Sequence, residues 1–231
     1  MIFASLSLKD RKNVRLTCRL WYECSVDPSI TKNEKLIFGR LDSAKEIACI
    51  LPKLHISVAN LEFRHLMIND LSEDFWNSFG PAVHTLYFND CYWNANTILN
   101  IIVCCDNLKN FRIKRRSSEM SFPSPEMLDD LIAKGIRRPK LHTFTWFINE
   151  YYLPESVLQK IFIIFPNIKY FGTGAESYDY NSYRSTYDEY NFDECLTPTM
   201  QLDRLVFNMP TEGRWLKKSI MKPKWQSRFV S

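Results

Sequence analysis

The stretch Val83-His84-Thr85-Leu86-Tyr87-Phe88 decides how the chain folds, because its pattern returns along the sequence. An apolar residue, two others, a second apolar residue, one other and a third apolar residue recur as Val58-Leu61-Phe63, Leu108-Phe111-Ile113, Leu141-Phe144-Trp146 and Leu202-Leu205-Phe207. Ile168-Phe171 is a weaker copy with Thr173 in the third apolar place, and Leu36-Phe38 is a degraded one with Asn33 where the first apolar residue belongs. The second apolar residues fall evenly at 36, 61, 86 and 111, then more loosely at 144, 171 and 205. Only every second side chain of a strand points to one face, so each phrase predicts a short strand with one buried face. An even step predicts one such strand per structural repeat.

Between the strands the apolar period becomes helical. Ser43-x-x-Glu46 is a capping box ahead of Ile47, Ile50 and Leu51, in which hydroxyl and carboxylate satisfy two orphan amides reciprocally. Ser124-Pro125 opens a helix carrying Leu128, Leu131 and Ile132 before Gly135, and Pro154-Glu155 opens one carrying Val157, Leu158, Ile161, Phe162 and Phe165. Phe75, Trp76 and Phe79 mark another, as do Ile98, Leu99, Ile102 and Val103. Strand and helix therefore alternate.

This arrangement resembles the leucine-rich repeat, whose phrase is followed by Asn or Cys at its ninth position. Cys91 and Asn149 occupy that position in their repeats; Leu66 and Arg116 stand there in two others. A doubly wound α/β sheet also alternates strand and helix. It ranks lower, because such folds keep no fixed step and commonly carry Gly-rich turns, whereas the chain has six glycines and none forms a phosphate loop. The fold class expected is α/β, a leucine-rich repeat solenoid of short strands and helices over residues 26–210, preceded by a partial all-α module.

That module is residues 1–25. Ser7 followed by Asp10 has the form of a helix N-cap with an acidic first turn. Val14, Cys18 and Trp21 recur at four- and three-residue steps on one helical face, with Lys9, Arg11, Lys12 and Arg15 on the other. Thr17 can restart the helix, giving two short helices with a bend. The order Ile2-Phe3, Leu6, Leu8-Lys9-Asp10, Val14-Arg15, Cys18-Arg19 and Trp21 resembles an F-box, the module that docks a protein on the Skp-type adaptor of a cullin-RING ubiquitin ligase. The resemblance covers helices two and three, without the Leu-Pro pair and most of the first helix. It implies that Leu6, Leu8, Val14, Cys18 and Trp21 contribute to the adaptor interface or its support.

Composition narrows the alternatives. At 231 residues and 45% hydrophobic content the chain can bury a substantial core, and a net charge of +4 demands no polyanionic partner. Seven cysteines contain no Cys-x-x-Cys pair and no zinc-like Cys/His spacing, so they read as reduced thiols of a cytoplasmic or nuclear protein, with no metal. The longest apolar run, Ile101 to Cys105, is far below spanning length. His55, His65, His84 and His142 lie in or beside strands, and no Ser or Cys stands in a nucleophile-elbow context, so no catalytic residue and no cofactor is expected.

Side chains alternating with the core positions face outward across the strands: Glu62 and Arg64, Tyr87 and Asn89, Arg112 and Lys114, Thr145 and Phe147. Tyr87, Arg112, Lys114 and Phe147 are the candidates for holding a target protein, since Tyr and Arg carry much interface energy. The run Lys114-Arg115-Arg116 with Arg112 suits a phosphorylated or acidic target, or solvates a loop. Residues 176–194 interleave Tyr178, Tyr180, Tyr183, Tyr187 and Tyr190 with acids and read as an insertion; residues 211–231 form a basic tail. The function expected is a non-catalytic substrate-recognition subunit of a cullin-RING ligase, a monomer within its complex, binding neither membrane nor nucleic acid. The alternatives are a leucine-rich repeat interaction module that no longer docks on the ligase and, behind it, a nucleic-acid binder using the basic centre and tail.

Overall fold

The structure, a computed structural model, describes residues 10, 13–14, 16–25, 35–40, 43–51, 59–115, 122–148, 153–174 and 202–208. Its elements run in chain order as α1 (Arg19–Ser25), β1 (Lys35–Phe38), α2 (Ala44–Ile50), β2 (Asn60–Arg64), α3 (Glu73–Phe79), β3 (Thr85–Asn89), α4 (Ala95–Cys104), β4 (Asn110–Arg115), α5 (Pro125–Ala133), β5 (Thr143–Ile148), α6 (Glu155–Ile164), β6 (Tyr170–Gly174) and β7 (Arg204–Asn208). The seven strands form one parallel sheet whose spatial order is the chain order. A doubly wound sheet reverses direction at a switch point and buries both faces. This sheet does neither: its order never reverses, and in β3 Leu86 and Phe88 are buried while Thr85, Tyr87 and Asn89 are half-exposed.

The register follows the spacing of the phrases. Leu36, Leu61, Leu86, Phe111, Phe144, Phe171 and Leu205 pair in one row, and Phe38, Phe63, Phe88, Ile113, Trp146, Thr173 and Phe207 in another two residues on. A one-residue slip would turn the buried members of both rows to the open face, which is why the pattern determines the register. The interior is aromatic. Rings stack, tilt or meet edge to face from Phe38 to Phe63, Phe88, Phe111, Phe144 and Phe171, with successive centroids 5.6, 5.9, 5.8, 5.9 and 5.9 Å apart. Each such pair contributes roughly 0.5–1.5 kcal/mol beyond the area it buries.

The helices begin where their caps predict. Ser43 Oγ accepts the amide of Glu46 at 3.1 Å while the Glu46 carboxylate accepts the amide of Ser43 at 3.2 Å, a complete capping box. Ser124 caps α5 by accepting the amide of Met127 at 3.4 Å, and Gly135 follows that helix at φ 73°, a left-handed conformation suited to a residue without Cβ. Gly80 has a different duty: a Cβ there would lie 2.9 Å from the carbonyl oxygen of Cys104, so its absence lets α3 approach α4.

Side chains also tie several strand–helix units to the preceding one. The Cys91 thiol donates to the carbonyl of Phe63 at 3.1 Å, and burial pushes its pKa up to about 11, so it acts as a neutral donor. Asn107 Nδ2 donates to Pro81 O at 2.7 Å and Asn167 Nδ2 to Pro139 O at 2.9 Å. Arg138 donates from Nε to Ile102 O at 2.8 Å and from Nη2 to Val103 O at 2.5 Å, placing a cation at the electronegative end of α4. Cys91 occupies a ninth position singled out from the sequence; Asn149, the other, lies outside the described residues, as do residues 176–194 and the basic tail.

Candidate functional site

Two surfaces present side chains that the fold does not consume. The first is the N-terminal helical region. Asn13 and Val14 are helical, Leu16 and Thr17 form a turn, and α1 begins at Arg19. Thr17 Oγ1 donates back to Val14 O at 2.7 Å, closing the preceding turn instead of capping the next helix. The continuous face expected for Val14, Cys18 and Trp21 is thereby broken in two: half-buried Val14 belongs to the first segment, exposed Cys18 to the bend and Trp21 to α1. Leu6 and Leu8 lie outside the described residues.

What the bend presents is apolar. Leu16 is 86% exposed, Leu20 64% and Trp21 45%, while Arg19 pairs with Glu23 one turn away at 2.9 Å. Exposed leucines are ordinary singly; here Leu16 in the turn and Leu20 and Trp21 in the first turn of α1 leave apolar area exposed close together in the sequence. Leu16 and Leu20 were not among the candidates drawn from the sequence. Their signal was present, an i, i+4 leucine pair, but a helical period cannot tell an inward face from an outward one.

The second surface is the open face of the sheet, built from three rows. Lys35, Asn60, Thr85, Asn110, Thr143, Tyr170 and Arg204 form one; Ile37, Glu62, Tyr87, Arg112, Thr145 and Gly172 the next; Arg64, Asn89, Lys114 and Phe147 the third. The four target-binding candidates fall into two register pairs, Tyr87 with Arg112 and Lys114 with Phe147. Tyr87 and Arg112 line a shallow recess of about 300 Å³ together with Lys35, Asn60, Thr85 and Asn110. Lys114 and Phe147 are not part of that recess. The sequence reading missed Lys35, Asn60, Thr85 and Asn110, although strict alternation already assigned them the outward parity of Glu62 and Tyr87.

Two residues expected to face outward are buried. Glu62 is 1% exposed because Lys35 and Arg64 close over it: Arg64 Nε donates to Glu62 Oε1 at 2.5 Å, and Lys35 Nζ pairs with Oε2. Burial pushes the Glu62 carboxyl up, but the Arg64 and Lys35 hydrogen bonds and charges together outweigh it and hold the group below the usual carboxylate range. Thr145 is 6% exposed and stands between Arg112 and Gly172 in its row. Beside it, the Phe147 ring lies against Gly172, where a Cβ would come within 2.9 Å of Phe147 Cζ. The open face is thus polar and cationic over β1–β4 and lower and more apolar over β5 and β6.

Within the recess the groups are ordered. Asn110 Nδ2 donates to Thr85 Oγ1 at 3.2 Å, and Lys35 Nζ lies 5.5 Å from the centre of the Tyr87 ring. Arg112 is exposed and has no ion pair among the described residues.

Residues 1–33 match the family model of the F-box domain. Comparison with curated proteins returns no match. F-box domains typically bind a Skp-type adaptor within cullin-RING ubiquitin ligases, and F-box proteins are generally non-catalytic substrate receptors.

Proposed function

We propose that this chain is a substrate-recognition subunit of a cullin-RING ubiquitin ligase, with its N-terminal segment docking on a Skp-type adaptor and its sheet holding the target protein. The observation that carries this reading is the F-box match over residues 1–33, within which Leu16, Leu20 and Trp21 present an apolar surface. Residues 1 to about 25 are the docking module, in which Leu6, Leu8, Val14, Cys18 and Trp21 are the proposed interface and supporting residues.

Residues 26–210 are a leucine-rich repeat solenoid. Monotonic strand order, one-sided burial and the Cys91 thiol bridging to the preceding turn support that assignment. Its open face binds target through Tyr87, Arg112, Lys114 and Phe147. Such a subunit makes and breaks no covalent bond; it raises the effective concentration of a target lysine near a ubiquitin-charged enzyme. The proposed location is the cytoplasm or nucleus, as a single copy within the ligase complex.

Affinity capture of a purified Skp-type adaptor by the full chain tests the docking half. Robust capture that is weakened by Trp21→Ala is expected. Failure of the unmodified chain to retain adaptor would leave an interaction protein without ligase docking.

A further inference from the structure

We propose that the recess over β1–β4 recognises an oxyanion side chain on an extended peptide segment of the target, with Arg112 as the residue that reads the charge. The inference rests on the target-binding reading of the open face and names the chemistry that face selects.

The three outward rows carry Lys35, Arg64, Arg112, Lys114 and Arg204 against the single carboxylate of Glu62. That carboxylate is already committed to Lys35 and Arg64 and lies beneath them. Tyr87 stands between Glu62 and Arg112 in the row, so the acid is two strands away, roughly 10 Å. On its other side Arg112 meets Thr145, which is uncharged. Arg112 is therefore an exposed guanidinium with no counter-charge among the described residues, and its planar fork is suited to bidentate contact with a carboxylate or phosphate.

The rest of the lining selects the carrier. Asn60 and Asn110 supply amides and Thr85 a hydroxyl, groups that pair with both the N–H and C=O of a peptide backbone. Four strands at about 4.8 Å spacing give the recess a length of roughly 14 Å, which an extended chain covers in about four residues. A nucleic acid is the poorer fit. Tyr87 is the one aromatic ring of the lining, and Lys35 already stands over it, so no ring is left open for base stacking.

Oriented peptide libraries with the central residue held as Glu, phosphoserine, Gln or Lys, passed over the immobilised full chain, test the proposal. The Glu or phosphoserine library, or both, is expected to be retained about tenfold over Gln, with Lys weakest. Arg112→Gln should erase that preference and Arg112→Lys should restore part of it, with unchanged circular dichroism and melting temperature in both. Stronger retention of phosphoserine than Glu assigns a phosphate source, and the reverse a carboxylate; either supports the proposal. Equal retention of Gln, no retention of any library, or an acid preference that survives Arg112→Gln overturns it. Adaptor capture measured on the same proteins separates the two readings: acid preference without capture sinks the ligase assignment alone, and capture without acid preference sinks this one alone.

Discussion

The N-terminal helical region and the sheet put large apolar side chains to opposite uses. In the sheet, Phe63, Phe88, Phe111, Phe144 and Phe171 are fully buried and continue one another from strand to strand. Around α1, Leu16, Leu20 and Trp21 face outward. A seven-residue helix makes too few turns to be stable by propensity, so its order depends on what its apolar side chains meet. The sheet carries its own core; the helical region leaves Leu16, Leu20 and Trp21 exposed. The difference implies that a substitution in one region acts on stability and in the other on association.

The largest effect should come from breaking the sheet. Trp146 is 2% exposed and packs edge to face on both Trp93 and Phe122, so Trp146→Ala should cost about 3–5 kcal/mol in urea unfolding. In contrast, Trp21→Ala should leave unfolding within about 1 kcal/mol of the parent and reduce adaptor capture roughly thirtyfold, the loss expected of an interface anchor worth about 2 kcal/mol. Unfolding changes of equal size in the two variants would erase the distinction. Smaller in reach is Gly80→Ala, whose new methyl meets the Cys104 backbone instead of a movable side chain; about 1–3 kcal/mol of destabilisation is expected, with adaptor capture retained.

The smallest effect concerns pH. The Glu62 carboxyl is held below its ordinary value of 4.5, so its contribution is complete above that value and is lost as pH falls through the lower folded-state value. Melting temperature followed from neutral pH down through the carboxylate range should show an acid-side decline that Glu62→Gln diminishes. An identical decline in the variant would show that Lys35 and Arg64 are not stabilised by this acid.

Strand positions were legible because a period of two leaves a strong trace when one face is buried and the other is open. Leu36, Leu61, Leu86 and Phe111 pair in the row their spacing implies, and Thr173 is buried in its row despite being polar. Caps at Ser43 and Ser124 were equally readable, since they depend on residues within one turn. The open face was read less well. Alternation assigned Glu62 and Arg64 to it, but not the burial of the carboxylate beneath Arg64 and, from β1, Lys35. The bend at Leu16 and Thr17 was among the open possibilities, but its backward hydrogen bond to Val14 was not, because a hydroxyl can serve either neighbouring turn.

Periodicity in the sequence by itself determined the alternation of strand and helix and which strand residues form the buried rows, because alternation follows from steric repeats within a few residues, and the even step between phrases implied the register of β1–β4. Tertiary structure alone decided which outward residues share a recess, that Glu62 is buried beneath Lys35 and Arg64, and that Arg112 has no counter-charge among the described residues. Those are distances between side chains brought together from strands about twenty-five residues apart, and no local pattern records whether a neighbouring strand supplies a counter-charge or leaves the position open.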